Sequence, residues 1–164
     1  MSDASLEDRV RRLEDLEGIR ILLARYAAAC DDNYNQAKVA SLFTADATWD
    51  GGPALGRYEG REAIEGLFAG ASATFKWGTH FMICPETEVF ADGRGARGTC
   101  YLLEACTIEQ DGRREARWLA AIYDVRYAKE DGDWRFAELN LDLRMFAPAA
   151  TGWVDDHTDA LVLG

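Results

Sequence analysis

The chain has 164 residues, nearly half of them apolar and with five Trp, six Tyr and seven Phe, enough for one domain with a substantial core. Twenty-nine acidic residues against 18 basic ones give a net charge of −11, which argues against nucleic acid or an anionic membrane as a partner. No apolar run approaches the roughly 20 residues that span a bilayer, and the acidic first residues lack the basic and apolar regions of a signal peptide, so a cytoplasmic protein is expected.

Ser5, followed three residues later by Asp8, reads as a helix start. Leu6, Val10, Leu13, Leu16, Ile19, Leu22, Leu23 and Tyr26 then form a helical apolar stripe to about Cys30, which Gly18 could divide in two. Asp31-Asp32-Asn33 breaks it. A short helix over 36–43 and a strand over 45–50 follow, with Trp49 inward. Gly51-Gly52-Pro53 ends the strand, and a helix over 60–68 carries Ile64, Leu67 and Phe68 on its buried side.

From Thr79 the period becomes two. Runs over 79–90, 97–109, 115–128 and 134–146, separated by Asp92-Gly93, Asp111-Gly112 and Asp131-Gly132, describe an antiparallel meander. Helices first and a long curved sheet afterwards define an α+β fold. Gly93-Arg94-Gly95-Ala96-Arg97-Gly98 matches GxGxxG by letter, but it bridges two strands instead of opening a helix, and so reads as a turn. No His/Cys cluster has metal-ligand spacing and no phosphate loop is present, so neither metal nor cofactor is expected. Cys30, Cys84, Cys100 and Cys106 read as reduced small hydrophobes.

His80 is the one interior histidine, in Trp77-Gly78-Thr79-His80-Phe81-Met82-Ile83, and imidazole is suited to moving protons near neutral pH. It shares strand parity with Met82 and Cys84. A satisfied core histidine is the competing reading. Glu104 stands among Cys100, Leu102, Cys106 and Ile108 on the even positions of its strand. Buried there, its carboxyl would need partners and hold its proton more firmly. The alternative turns that face to solvent and Tyr101, Leu103 and Ala105 inward. Asp31 reads equally as a helix stop and Tyr26 as core. Asn140, Asp142 and Arg144 alternate on the last strand, either at a cavity mouth or on a solvated face, with Leu139, Leu141, Leu143 and Met145 opposite them as a surface for oligomer contacts. Trp49, Trp118 and Phe136 are candidates for pocket walls or plain core.

Ile19-Arg20-Ile21-Leu22-Leu23-Ala24-Arg25-Tyr26, Leu42-Phe43-Thr44-Ala45-Asp46-Ala47, Tyr58-Glu59-Gly60-Arg61-Glu62-Ala63-Ile64 and Asp133-Trp134-Arg135-Phe136 resemble markers of the nuclear transport factor 2-like, SnoaL-like superfamily. The resemblance covers roughly residues 14–147 and implies a cone-shaped fold in which a curved sheet and helices enclose one pocket. It makes 1–147 a single domain and 148–164 a tail that closes the pocket or meets a neighbouring subunit. Tyr26-x4-Asp31, Thr79-His80 and Tyr101-Leu102-Leu103-Glu104 resemble the dehydratase branch, which includes scytalone dehydratase and the bile-acid 7α-dehydratases. The resemblance implies catalytic roles for His80, Asp31, Tyr26 and Glu104. It implies a cofactor-independent dehydratase of a largely apolar cyclic or aromatic molecule, with Trp49, Met82, Leu102, Trp118, Asn140 and Arg144 around the substrate and a dimer or trimer as the assembly. An isomerase, aldol cyclase or C–C lyase using the same pair, or a binding or assembly module, are the alternatives.

Overall fold

The computed structural model describes residues 5–154; His157 and Leu161-Val162-Leu163 of the tail lie outside them. α1 (Leu6–Asp31) is one continuous helix. Its start is the expected capping box: the Ser5 side chain accepts from the Asp8 amide at 3.0 Å, and the Asp8 carboxylate accepts from the Ser5 amide at 3.3 Å. Gly18 does not divide it. A Cβ there would stand 2.8 Å from Cδ1 of Trp134, so the glycine lets helix and sheet approach closely. The apolar stripe is buried only from Asp15 onward, through Ile19, Leu22, Leu23, Tyr26, Ala29 and Cys30, whereas Leu6, Val10 and Leu13 are exposed.

α2 (Gln36–Ala40) stops before Phe43, which opens β1 (Phe43–Asp50). α3 (Gly52–Leu55), β2 (Arg57–Glu59) and α4 (Arg61–Thr74) lead to the four long strands β3 (Phe75–Val89), β4 (Gly95–Gln110), β5 (Arg113–Glu130) and β6 (Asp133–Pro148). The Asp111-Gly112 and Asp131-Gly132 turns have positive φ at both residues, the primed geometry that matches strand twist. Gly93 to Gly98 lies across the β3–β4 turn, as expected.

The sheet order is β2-β1-β6-β5-β4-β3. It is mixed, not wholly antiparallel: β1 runs parallel to β6, with Trp49 opposite Leu139 and Asp50 opposite Asn140. Alternation along a strand identifies the strand without giving its direction, so the sequence could not show this.

Bulges curve the sheet and reset which residues face inward. On β6 the pairing slips at Ala137 and again at Arg144. The inward residues are therefore Trp134 and Phe136, then Leu139 and Leu141, then Phe146. The odd positions of β6 expected to form an outer contact face thus turn inward at Leu139 and Leu141. The large exposed apolar residues of the sheet are Trp77, Phe81 and Ile83 on β3 and Tyr101 on β4. Of the cysteines, Cys30, Cys100 and Cys106 are buried, but Cys84 is exposed at a β3 slip where its φ is +50°. No helix among the described residues is long and apolar enough to cross a membrane.

One polar contact fastens α1 to the sheet. The buried Asp15 carboxylate accepts from Lys129 Nζ at 2.5 Å and from Trp134 Nε1 at 3.1 Å. Removing it leaves the buried Trp134 indole N–H without its acceptor and the partly exposed Lys129 ammonium without its partner. Asp15→Ala is expected to lower unfolding free energy by about 2–3 kcal/mol in a urea titration. A loss below about 0.5 kcal/mol would show the helix docks by apolar contact alone.

Candidate active site

α1 ends at Asp31, and the chain reverses through Asn33 and Tyr34, both at positive φ, 54° and 50°. Such a conformation costs a β-carbon-bearing residue about 1 kcal/mol or more. It is held by the Tyr34 amide donating to the Cys30 carbonyl at 2.8 Å and the Asn35 amide donating to the Ala29 carbonyl at 3.0 Å. The turn sends the Tyr34 ring inward, where it is 6% exposed.

Meanwhile β3 pairs with β4 so that His80 lies opposite Glu104 and Gly78 opposite Cys106. The Asp31 carboxylate then meets His80 twice: Oδ1 accepts from the His80 backbone amide at 2.8 Å and lies 2.8 Å from Nδ1. Nδ1 therefore carries the proton in the neutral ring, and Nε2 points inward. There Nε2 is 3.4 Å from Glu104 Oε2. The other Glu104 oxygen, Oε1, accepts a very short hydrogen bond from the Tyr34 hydroxyl.

The site runs from wet to dry. The Asp31 side chain is 37% exposed, while those of His80 and Glu104 are 4% and 3% exposed. Burial pushes the Glu104 carboxyl above the usual glutamate range, opposed by the nearby His80 and by the hydrogen bond from Tyr34. Burial, and then the adjacent Glu104 carboxyl, push the Tyr34 phenol well above its ordinary value, so Tyr34 stays a donor. Gly78 makes room for this contact, since a Cβ there would be 3.0 Å from Glu104 Oε1 and 3.2 Å from the Tyr34 oxygen.

His80, Glu104 and Tyr34 line a small pocket of about 60 Å³. Its other walls include Tyr26, Trp49, Leu55, Leu67, Phe68, Phe75, Leu102, Leu119, Tyr123 and Leu141, from α1, β1, α3, α4 and the concave face of the sheet. A mostly apolar cavity with a few converging polar groups is the usual form of a small-molecule site. Among the described residues, no group of three or more His, Cys, Asp or Glu is placed to hold a metal ion.

Several expected residues meet here. His80 contacts both Asp31 and Glu104, the even face of β4 is the buried one, and Trp49 and Leu102 line the pocket. Tyr26 lines it too, but within an aromatic cluster of Phe43, Phe68, Tyr123 and Phe136. The tyrosine at the His80–Glu104 pair is Tyr34, which no motif or periodicity in the sequence marks. The signal present was a lone aromatic within Asp31-Asp32-Asn33-Tyr34-Asn35.

Other expectations are corrected. On β5 the odd residues Leu119, Ala121 and Tyr123 face inward, so Trp118 stands on the opposite face and does not line the pocket. Asn140 donates to Glu138 at 3.1 Å, and the exposed Arg144 pairs with Asp142 at 3.0 Å on the outer face of β6. Met82 packs half-buried against the core and Phe136 is fully buried in it; neither lines the pocket.

The Glu104 environment predicts a pH signature. The folded state keeps a proton on this carboxyl in a range, starting near the ordinary value of 4.5, where the unfolded chain has released it. The native state then binds more protons than the unfolded one, so stability falls as pH rises through that window. Glu104→Gln, which can accept from Tyr34 and donate to His80, is expected to match the parent near pH 4 and to gain on it progressively toward pH 8 in urea unfolding. Parallel stability curves for the two proteins would place an ionised Glu104 in the folded state throughout.

The match to known proteins covers most of the chain. Residues 11–140 fit the model of the SnoaL-like domain. Similar folds include hexachlorocyclohexane dehydrochlorinase LinA-type3 from Novosphingobium barchaimii, 22% identical over 92% of this chain and 98% of that one, TM-score 0.75. A scytalone dehydratase-like protein from Novosphingobium aromaticivorans is 22% identical over 93% and 95%, TM-score 0.76. ActVI-ORFA from Streptomyces coelicolor is 14% identical over 78% and 96%, TM-score 0.64. No curated protein matches the sequence at a significant level. With its helices packed on a curved mixed sheet and residues 11–140 fitting one family model, the chain belongs to the SnoaL-like domain family.

Proposed function

We propose that this protein is a cofactor-independent lyase, a dehydratase that removes a proton from carbon in a small, largely apolar cyclic or aromatic molecule. The observation that carries this reading is the placement of His80. Its Nδ1 is held by Asp31, and its Nε2 faces the buried Glu104 beside an apolar pocket. Asp31 fixes the tautomer and stabilises the imidazolium that forms when Nε2 takes a proton, the role of the orienting carboxylate in an acid–base pair. The structural likeness to proteins named as a dehydrochlorinase and as scytalone dehydratase-like is consistent with an elimination.

The remaining groups complete the proton path. In the elimination, Nε2 removes hydrogen from the carbon next to the activating group, the C–H pair becomes the new C=C bond, and the C–O bond breaks. The hydroxyl departs as water after receiving a proton from the imidazolium or from a neutral Glu104. Tyr34 keeps Glu104 in place, as its hydrogen bond to Oε1 leaves Oε2 toward His80. Tyr26 belongs in this reading to the far wall. A dry pocket strengthens each of these interactions.

Two simple probes test the reading. Wild-type protein is expected to speed exchange of the methyl protons of acetophenone into deuterium oxide, and loss of water from 3-hydroxyindan-1-one followed by absorbance. His80→Asn should lower both rates by about 10²–10⁴-fold, and Asp31→Ala should lower them while shifting the His80 ¹⁵N resonances away from the Nδ1–H pattern. Wild-type rates no faster than buffer, or a His80→Asn protein as fast as wild type, would overturn it.

A further inference from the structure

The pocket beside His80 is closed and smaller than a ring. An apolar cavity of about 150 Å³ takes up benzene, whereas this one holds about 60 Å³. Every residue that lines it is buried, none more than 9% exposed. A ring-sized molecule therefore enters only if a wall moves.

The walls differ in how they are held. Leu102, Leu119 and Leu141 stand in strands paired on both sides, and Tyr26 and Phe68 on helices of 26 and 14 residues. Leu55 alone comes from α3, which is four residues long. Pro53 and Ala54 of that helix are exposed while Leu55 is buried, so one side chain separates the cavity from solvent there. Gly52 and Gly56 flank the turn at φ of +65° and +80°, values that a β-carbon disfavours. Its hydrogen bonds are its own. The Gly51 amide donates to the Gly56 carbonyl and the Gly56 amide to the Gly52 carbonyl, both at 2.8 Å, and the Gly52 amide donates to Asp50 Oδ1 at 2.8 Å. Arg57 closes the neck on Asp50 Oδ2 at 3.0 Å. Among the described residues no hydrogen bond ties 51–56 to anything outside 50–57. Leu55 and the Trp49 ring both crowd the place where a Cβ on Gly51 would stand, so that glycine lets Leu55 close down beside the ring.

Resting on the ring-sized substrate of the proposed function, we propose that α3 is the lid of this pocket and Leu55 the side chain that swings out to admit an apolar ring. Rotation about Gly52 and Gly56 carries Leu55 outward as a unit while the Asp50–Arg57 neck stays closed. Opening then breaks no hydrogen bond to another element and exposes one leucine side chain. That cost keeps the open form among the minor populations, about 0.1–10%, that ligands ordinarily select. Moving any other wall means breaking a strand ladder or undocking a long helix. The closed lid also keeps water from His80 and Glu104, whose side chains are both buried, so the device that controls entry keeps the proton transfer dry.

The test strains the hinge and leaves the pocket alone. Gly52 does not line the cavity, and a Cβ on it meets nothing within 4 Å, but its φ penalises any β-carbon. Gly52→Ala is therefore expected to raise opening about five- to thirtyfold. Opening is read from hydrogen exchange of the Gly51 and Gly56 amides, and entry from the rate at which toluene exchanges the Leu67 and Leu141 methyl resonances in NMR. In the wild type both amides should exchange at least about tenfold faster than the His80 amide, which Asp31 holds at the opposite wall. In the variant, amide exchange and toluene entry should rise together. Entry that stays constant while exchange rises, wild-type glycine amides as slow as that of His80, or toluene that does not bind at all would overturn the lid. Should Gly52→Ala fail to fold, Leu55→Ala removes the stopper itself and should speed toluene entry by a similar factor; an unchanged rate there overturns the lid equally. Toluene has no leaving group, so its entry does not depend on the chemistry. A gated entry without His80-dependent proton exchange of acetophenone would sink the lyase reading and leave the lid standing.

Discussion

The buried carboxylate of Glu104 organises the site. Glu104 sits on the apolar inner face of β4 between Leu102 and Cys106, where an isolated charge could not be sustained. Tyr34 supplies a donor to one of its oxygens and His80 a ring nitrogen near the other. Tyr34 can reach it only because the chain after α1 enters positive φ for two residues running. Gly78 leaves that point of β3 clear, since a Cβ there would press to 3.0 Å from the Glu104 oxygen that Tyr34 meets. A strained turn, a glycine in a strand and a histidine thus share one cause. Each would be an unexplained cost if Glu104 were leucine.

The same arrangement sets His80 between unlike carboxylates. Asp31 touches solvent, and it binds both the backbone and the ring of His80. Glu104 is enclosed, and burial favours its neutral form. Pairs of acids in contrasting surroundings are how proteins divide proton donor from charge stabiliser with one residue type. The histidine gains a fixed tautomer from the wet side and a neighbour able to share a proton on the dry side.

Much of this was legible in the sequence wherever alternation stayed regular. The even positions of β4 from Cys100 to Ile108 run without a slip against β5; period two groups them on one face and leaves open whether that face is inward, and the structure buries it. The α+β order, the Asp-Gly turns and the His80, Asp31 and Glu104 candidates came from the same local signals and from family resemblance. The failures share another physical origin. Slips at Ala137 and Arg144 flip the facing of β6, which a single parity carried along the strand cannot anticipate, so Asn140 and Arg144 were set at a cavity they do not touch. Trp118 falls on the even positions of β5, whereas the inward parity of that strand belongs to Leu119 and Tyr123. Tyr34 was hidden because its polar neighbours describe a turn correctly, and the direction of a side chain leaving a turn depends on φ values that residue type does not reveal.

The pocket and the core are largely the same set of side chains. Tyr26, Trp49, Leu67, Phe68, Leu102, Leu119 and Leu141 all belong to the buried cluster that holds the sheet against the helices, and all face the cavity. Enlarging the cavity by trimming any of them removes buried apolar surface, which costs about 2–5 kcal/mol for a large-to-alanine change. The polar groups are under a different constraint. His80, Tyr34 and Glu104 stabilise one another. Cavity shape in this protein is therefore tied to folding stability.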